Sequence, residues 1–182
     1  MTTALALTIV LASCSHTGKT PTMQHDDCHD AIEGLISGKP ERLHGLPAAC
    51  TVARAKELID PIRARVESLG EPGTSYALHE IKQADKAFAW LDNERVAMAD
   101  VAEPSRPLAD YLAVLGEPEA KLDYTHRDIV RPQSDLVWPS RGIAIAASSE
   151  IKSVIRVAIF APTTLDEYKR SLRYFDISRD EQ

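Results

Sequence analysis

The stretch His25-Asp26-Asp27-Cys28-His29-Asp30 is the most reactive-looking part of the chain, with two imidazoles, a thiol and three carboxylates in six positions. A thiolate beside imidazoles suits zinc or copper. A complete site needs further ligands that the run does not supply, so it reads as an acidic, histidine-bearing tether. No metal and no cofactor are expected. His44, His79 and His126 stand apart, without the HExxH spacing that puts two imidazoles on one helical face. A catalytic serine would need a G-x-S-x-G elbow to expose it, and none is present. With eight glycines and no P-loop or G-x-G-x-x-G pattern, there is little scope for a phosphate cradle. Glu117, Asp123, Asp128 and Asp135 read as members of a solvated, charge-rich face. No catalytic residue is nominated, and the protein is expected not to be an enzyme.

The cysteines carry more information. Residues 4–11 form an apolar run of signal-peptide length, well short of the ~20 residues that span a bilayer as a helix. Leu11-Ala12-Ser13-Cys14 follows, and it resembles the lipobox of bacterial lipoproteins. The chain departs from that family in having no Lys or Arg before Cys14. The resemblance implies cleavage before Cys14, a diacylglycerol on its thiol and an acyl chain such as palmitate on the new amino group. Each buried CH₂ adds about 0.8 kcal/mol of membrane affinity, so several chains anchor firmly. Ser15 follows in place of the aspartate that marks inner-membrane retention in enterobacterial lipoproteins. By that analogy the outer membrane is favoured over the inner. The alternative is an ordinary buried thiol near the start of a cytosolic chain.

With Cys14 lipidated, Cys28 and Cys50 remain as one pair out of three cysteines. In an oxidising envelope compartment such a pair reads as a disulfide. Closing a loop of that size would stabilise the fold by about 3 kcal/mol. The competing reading is two unrelated reduced thiols.

A formal charge of −6 argues against a nucleic-acid partner, because neutralising phosphates needs a surplus of Lys and Arg. It also argues against a polybasic membrane patch. Hydrophobic residues at 44% allow a real core, and aromatics at only 5% mean that Ala, Leu, Ile and Val must build it. The membrane would therefore be met through the lipid on Cys14, and an envelope protein is the expected partner.

Several elements must position these residues. The expected order is a signal over residues 1–13, a lipidated cysteine and tether over 14–27, a globular body over 28–175 and a polar tail over 176–182. A short helix is expected on Ile32, Leu35 and Ile36, ended by Gly38 and Pro40. Another starts at Thr51 with Val52, Ala55, Leu58 and Ile59 on one face. Asp60-Pro61 then reads as a fresh N-cap for a helix carrying Ile62, Val66 and Leu69. "SYALHEI" and "KAFAWLDNERVAMADV" read as strands, with a hairpin turn near Asp92-Asn93. "SRPLADYLAVLGEP" gives a helix closed by Gly116. "KLDY", "DLVW", "GIAIAA" and "SVIRVAIF" read as further strands. A last helix opens on the capping-box spacing of Thr164 and Glu167, with Leu165, Tyr168, Leu172 and Phe175 as its stripe.

"LGEP" occurs twice, at Leu69–Pro72 and Leu115–Pro118, each time at the expected end of a helix and ahead of strands bearing Trp90 or Trp138. This order suggests two degenerate helix-then-sheet repeats, over 51–104 and 105–175. The arrangement resembles the SmpA/OmlA-type envelope lipoproteins, which join a lipobox and tether to helices and an antiparallel sheet. It also resembles the β-lactamase inhibitory proteins, which are tandem helix-then-sheet units. The chain departs from the latter in having one possible disulfide and an extra C-terminal helix.

The expected fold class is α+β, an antiparallel sheet with helices on one side. Trp90, Tyr124 and Trp138 are the candidate partner contacts, because Trp and Tyr are favoured interface anchors. The competing and favoured reading is that both tryptophans are core residues in a chain with few other large side chains. The role these readings support is a non-catalytic, lipid-anchored binding or assembly module. The alternatives are an inhibitor or immunity-type protein, then an envelope hydrolase.

Overall fold

The computed structural model describes residues 27–68, 70, 75–124, 132–148 and 153–173. Residues 11–14, read above as a lipobox, the rest of the expected tether up to residue 26, His126, Asp128 and the expected tail lie outside the described residues, whereas Asp27 opens the first helix.

The fold is α+β, with one antiparallel sheet in the order β1-β2-β3-β4-β8-β7-β6-β5. Strands β1 (Ile59–Ser68), β2 (Ser75–Ile81), β3 (Ala87–Asp92) and β4 (Arg95–Ala102) form one meander. Strands β5 (Ala120–Asp123), β6 (Gln133–Trp138), β7 (Ile143–Ser148) and β8 (Val154–Phe160) form a second. The two meanders join where β4 pairs with β8, from Met98 opposite Phe160 to Ala102 opposite Arg156. Helices α1 (Asp27–Ile36) and α2 (Val52–Ala55) precede the first meander, α3 (Leu108–Leu115) lies between the two, and the short α4 (Leu165–Glu167) follows the second.

Each face of the sheet has its own core. On the outer face Ala31, Ile32 and Leu35 of α1, Ala55 of α2, and Tyr111 and Leu115 of α3 pack over Leu91, Ala99, Trp138, Ile145 and Ile159. On the inner face Leu78, Trp90, Met98, Val137 and Phe160 are covered by Tyr168 and Leu172. Burial on both sides explains why β7 reads as an unbroken small-apolar run, since every one of its residues is buried.

The inner face is strongly concave. The backbone carbonyl of Arg173 accepts from the Gly70 amide, just beyond β1, at 2.7 Å, while the Arg173 guanidinium donates to the Asp123 carbonyl of β5 at 2.9 Å. In a flat sheet β1 and β5 would stand about 34 Å apart, at ~4.8 Å per strand spacing. One arginine can bridge them only because the sheet curls until its two edges face each other across the C-terminal segment.

Local chemistry accounts for most boundaries. Thr164 Oγ1 accepts from the Glu167 amide at 3.2 Å and starts α4, and the chain then widens into a π-helical turn over Tyr168–Leu172. That turn puts Tyr168 and Leu172 on the inner core, as the stripe implied; Phe175 lies outside the described residues. Gly142 (φ 68°) turns the chain between β6 and β7, and a Cβ there would sit 2.0 Å from the Phe160 carbonyl oxygen.

One expectation is overturned. The segment after Asp60 is the strand β1, not a helix, and α2 stops at Ala55. Ile62, Val66 and Leu69 do fit a helical spacing. Ile62-Arg63-Ala64-Arg65-Val66-Glu67 fits strict alternation equally well, and pairing with β2 decides between them. Pro61 is tolerated because β1 is an edge strand. The two "LGEP" segments are consequently not equivalent, since the first follows a strand and the second closes α3.

Candidate functional site

Among the described residues, the buried charges lie on the inner face. Asp100 of β4 and Arg156 of β8 pair at 3.5 Å, with side chains 1% and 8% exposed. Trp90 of β3 donates its indole N–H to the same Asp100 oxygen at 3.1 Å. Next along the sheet, Asp135 of β6 is fully buried. Its Oδ2 accepts from the hydroxyls of Tyr124 at 2.8 Å and Tyr168 at 3.1 Å. Arg173 Nε lies 3.9 Å from that oxygen, too far for a hydrogen bond, so its contribution is electrostatic. The Arg173 guanidinium carbon sits 5.0 Å from the centre of the Tyr124 ring, a cation–π distance.

Register explains the grouping. Arg156 is opposite Ala146, and Ala146 is opposite Asp135, so a small residue separates two charged ones in a single cross-strand row. Ser148, opposite Gln133, lies two pairs further along β7. Asp135 Oδ1 and Ser148 Oγ are buried without a protein hydrogen-bond partner among the described residues.

The two phenols are held as donors. Burial pushes the Tyr168 hydroxyl well above its ordinary value of 10.0, and the Asp135 carboxylate adds to the shift. Tyr124 rises for the same reasons in the same order. At neutral pH both are therefore neutral hydrogen-bond donors to one carboxylate. The arrangement works as a clamp, with sheet strands and the C-terminal segment converging on Asp135.

The nominated contact residues are not brought together. Trp90 lies in the inner core and Trp138 in the outer, each only 2% exposed. Trp138 also donates its indole N–H to the Glu117 carbonyl, tying β6 to the turn after α3. Both tryptophans are core residues, in keeping with the favoured of the two readings, because few other large side chains exist to fill these cores. Tyr124 is half-buried and engaged by Asp135 and Arg173.

Cys28 and Cys50 are disulfide-bonded, with Cα atoms 5.1 Å apart and neither residue exposed. The bond fastens α1 to the segment entering α2. His29, Asp30 and Glu33 on α1 bring ligand atoms within 4.8 Å of one another, but all three are half-exposed. His29 Nδ1 is 3.8 Å from Glu33 Oε1, the spacing of a surface pair. His79 Nδ1 is 2.8 Å from the Asp60 carbonyl oxygen, and His44 stands exposed beside Gly45. A groove of about 330 Å³ opens beside the clamp, between Tyr76, Arg95, Thr163 and Glu167.

Sequence reasoning missed Asp100 and Arg156, although each is a charge within an apolar run. It placed Asp135 on a solvated face, whereas that residue is fully buried under Tyr124 and Tyr168. No family model matches the chain, and no curated protein or solved structure matches it either.

Proposed function

We propose that the protein is a non-catalytic, lipid-anchored module of the bacterial cell envelope that binds or assembles with an envelope protein. The buried Cys28–Cys50 bond carries this reading. Structural disulfides persist in oxidising compartments and are rare in the cytosol. The bond uses two of three cysteines and leaves Cys14, behind its apolar run, as the one thiol open to lipidation. The inner clamp fits a binding role: its phenols are held protonated and its carboxylate is engaged, so the groups brace the body rather than shuttle protons near neutral pH.

The test is fractionation and detergent partitioning of the full chain expressed in a bacterium, beside Cys14→Ser. The proposal expects the wild type in the detergent phase and the outer-membrane fraction, with the variant in neither. A wild type that stays in the aqueous phase would overturn it.

The two joined meanders favour one second reading, an inhibitor or immunity-type protein of tandem-unit build. Such a protein would form a tight one-to-one complex with its target enzyme. Capture of a structural envelope component instead would exclude it.

A further inference from the structure

The groove of about 330 Å³ is walled on one side by the β3–β4 hairpin and on the other by the segment from Ala161 through the π-helical turn. Tyr76, Ala97 and Leu172 line it as buried members of the inner cluster. The pairing of β3 with β4 is irregular at this point. Trp90 is opposite Met98 and Leu91 opposite Val96, which makes Ala97 an extra residue on β4. Bulges of this kind re-aim side chains beside binding sites.

The rim is charged. Asp92 and Arg95 lie directly opposite each other at the end of the hairpin, and both line the groove together with Glu167. All three act on the Tyr76 hydroxyl: burial raises its pKa most, Asp92 and Glu167 add to the rise, and Arg95 offsets it. They differ in how far the protein already engages them. Glu167 accepts from Arg170 at 2.7 Å and from the Ser171 hydroxyl at 2.6 Å, one bond to each carboxylate oxygen. The Tyr76 hydroxyl donates to the Ser171 carbonyl at 2.8 Å. Asp92 uses one oxygen, which accepts from the Asn93 side chain at 3.1 Å. Arg95 makes no hydrogen bond or ion pair among the described residues, even with Asp92 opposite it.

We propose that the groove binds a small zwitterion of the α-amino acid class, with its carboxylate on the Arg95 guanidinium and its ammonium on Asp92. The two available groups have opposite sign, so a ligand with a single charge would satisfy only one of them. A guanidinium presents its donors as a planar fork that matches a carboxylate at two points. The volume lies at the small end of ligand sites, and Ala97 and Leu172 give an apolar side chain a surface to cover. Both charged groups stand exposed at the rim, where water screens them, so the expected dissociation constant is about 1 mM. Binding would not depend on whether Cys14 carries lipid.

The test is titration of L-leucine into the isotope-labelled full chain carrying Cys14→Ser, followed by amide NMR shifts. Shifts should move along the hairpin from Asp92 to Ala97 and at Thr163. Isocaproate and isoamylamine carry one charged group each on the same aliphatic frame, and both should bind about tenfold or more weakly. Arg95→Gln and Asp92→Asn should each weaken leucine by a similar factor, with amide shifts elsewhere unchanged to show that the variants fold. Leucine that moves no amide at about 20 mM overturns the proposal. So do shifts centred away from the groove, or isocaproate that binds as tightly as leucine.

Discussion

The two faces of the sheet are held together by different means. The outer face is apolar throughout its core and is reinforced covalently, since Cys28 and Cys50 sit within that cluster. The inner face has a smaller apolar cluster and hands part of its cohesion to Asp100, Arg156 and Asp135 with their partners. Hydrophobic burial is non-directional and tolerates repacking. Buried charges are not forgiving, because each requires its partner in place. The outer face therefore supplies bulk stability, and the inner face dictates how the C-terminal segment docks and how far the sheet curls.

Removing Arg156 breaks this contrast most severely. Arg156→Ala should cost about 3–5 kcal/mol in denaturant unfolding, because Asp100 is left charged and buried. The double variant Asp100→Leu/Arg156→Met should recover most of that loss, which would mark the pair as a device for specificity rather than stability.

Cys28→Ala/Cys50→Ala tests the other face and should cost about 3 kcal/mol, the loop-closure value for their separation of 22 residues. The inner-face hydrogen bonds should survive it.

Alkaline pH sharpens the comparison. Tyr124 and Tyr168 have folded values above the unfolded 10.0, from burial first and Asp135 second. Their contribution is complete below pH 10 and is lost as the pH rises towards the folded values. Melting temperature should thus hold up to about pH 10 and drop above it. Tyr168→Phe should flatten the drop. Tyr111 of α3, raised by burial against the outer face, contributes a share.

The smallest effects lie at the surface. Thr164→Ala should cost about 1 kcal/mol through the lost α4 cap. Lys86→Ala, which breaks an exposed pair with Glu103, should cost less than about 1 kcal/mol.

Much of this architecture was legible in the residues. Seven of the eight strands and the helices α1 and α3 follow from apolar patterning, and Gly38, Gly116 and Gly142 mark turns at positive φ. The strand β1 was not, because Ile62, Val66 and Leu69 satisfy two periodicities and only the partner strand chooses. The clamp was not legible either. A lone aspartate in "DLVW" reads as a solvent-facing position, and its burial depends on Tyr168, thirty-three residues later. The tryptophans were ambiguous for a related reason, since side chains suited to an interface are equally suited to a core short of aromatics, and burial decides for the core.

The most direct test of the central claim is a peptide map, by mass spectrometry without reductant, of the protein isolated from bacterial membranes. The account predicts an N-terminal peptide that begins at Cys14 and carries diacylglycerol, together with one cross-linked peptide joining Cys28 to Cys50. A peptide running uncut through Cys14 with an unmodified thiol, and Cys28 and Cys50 both free, would contradict it.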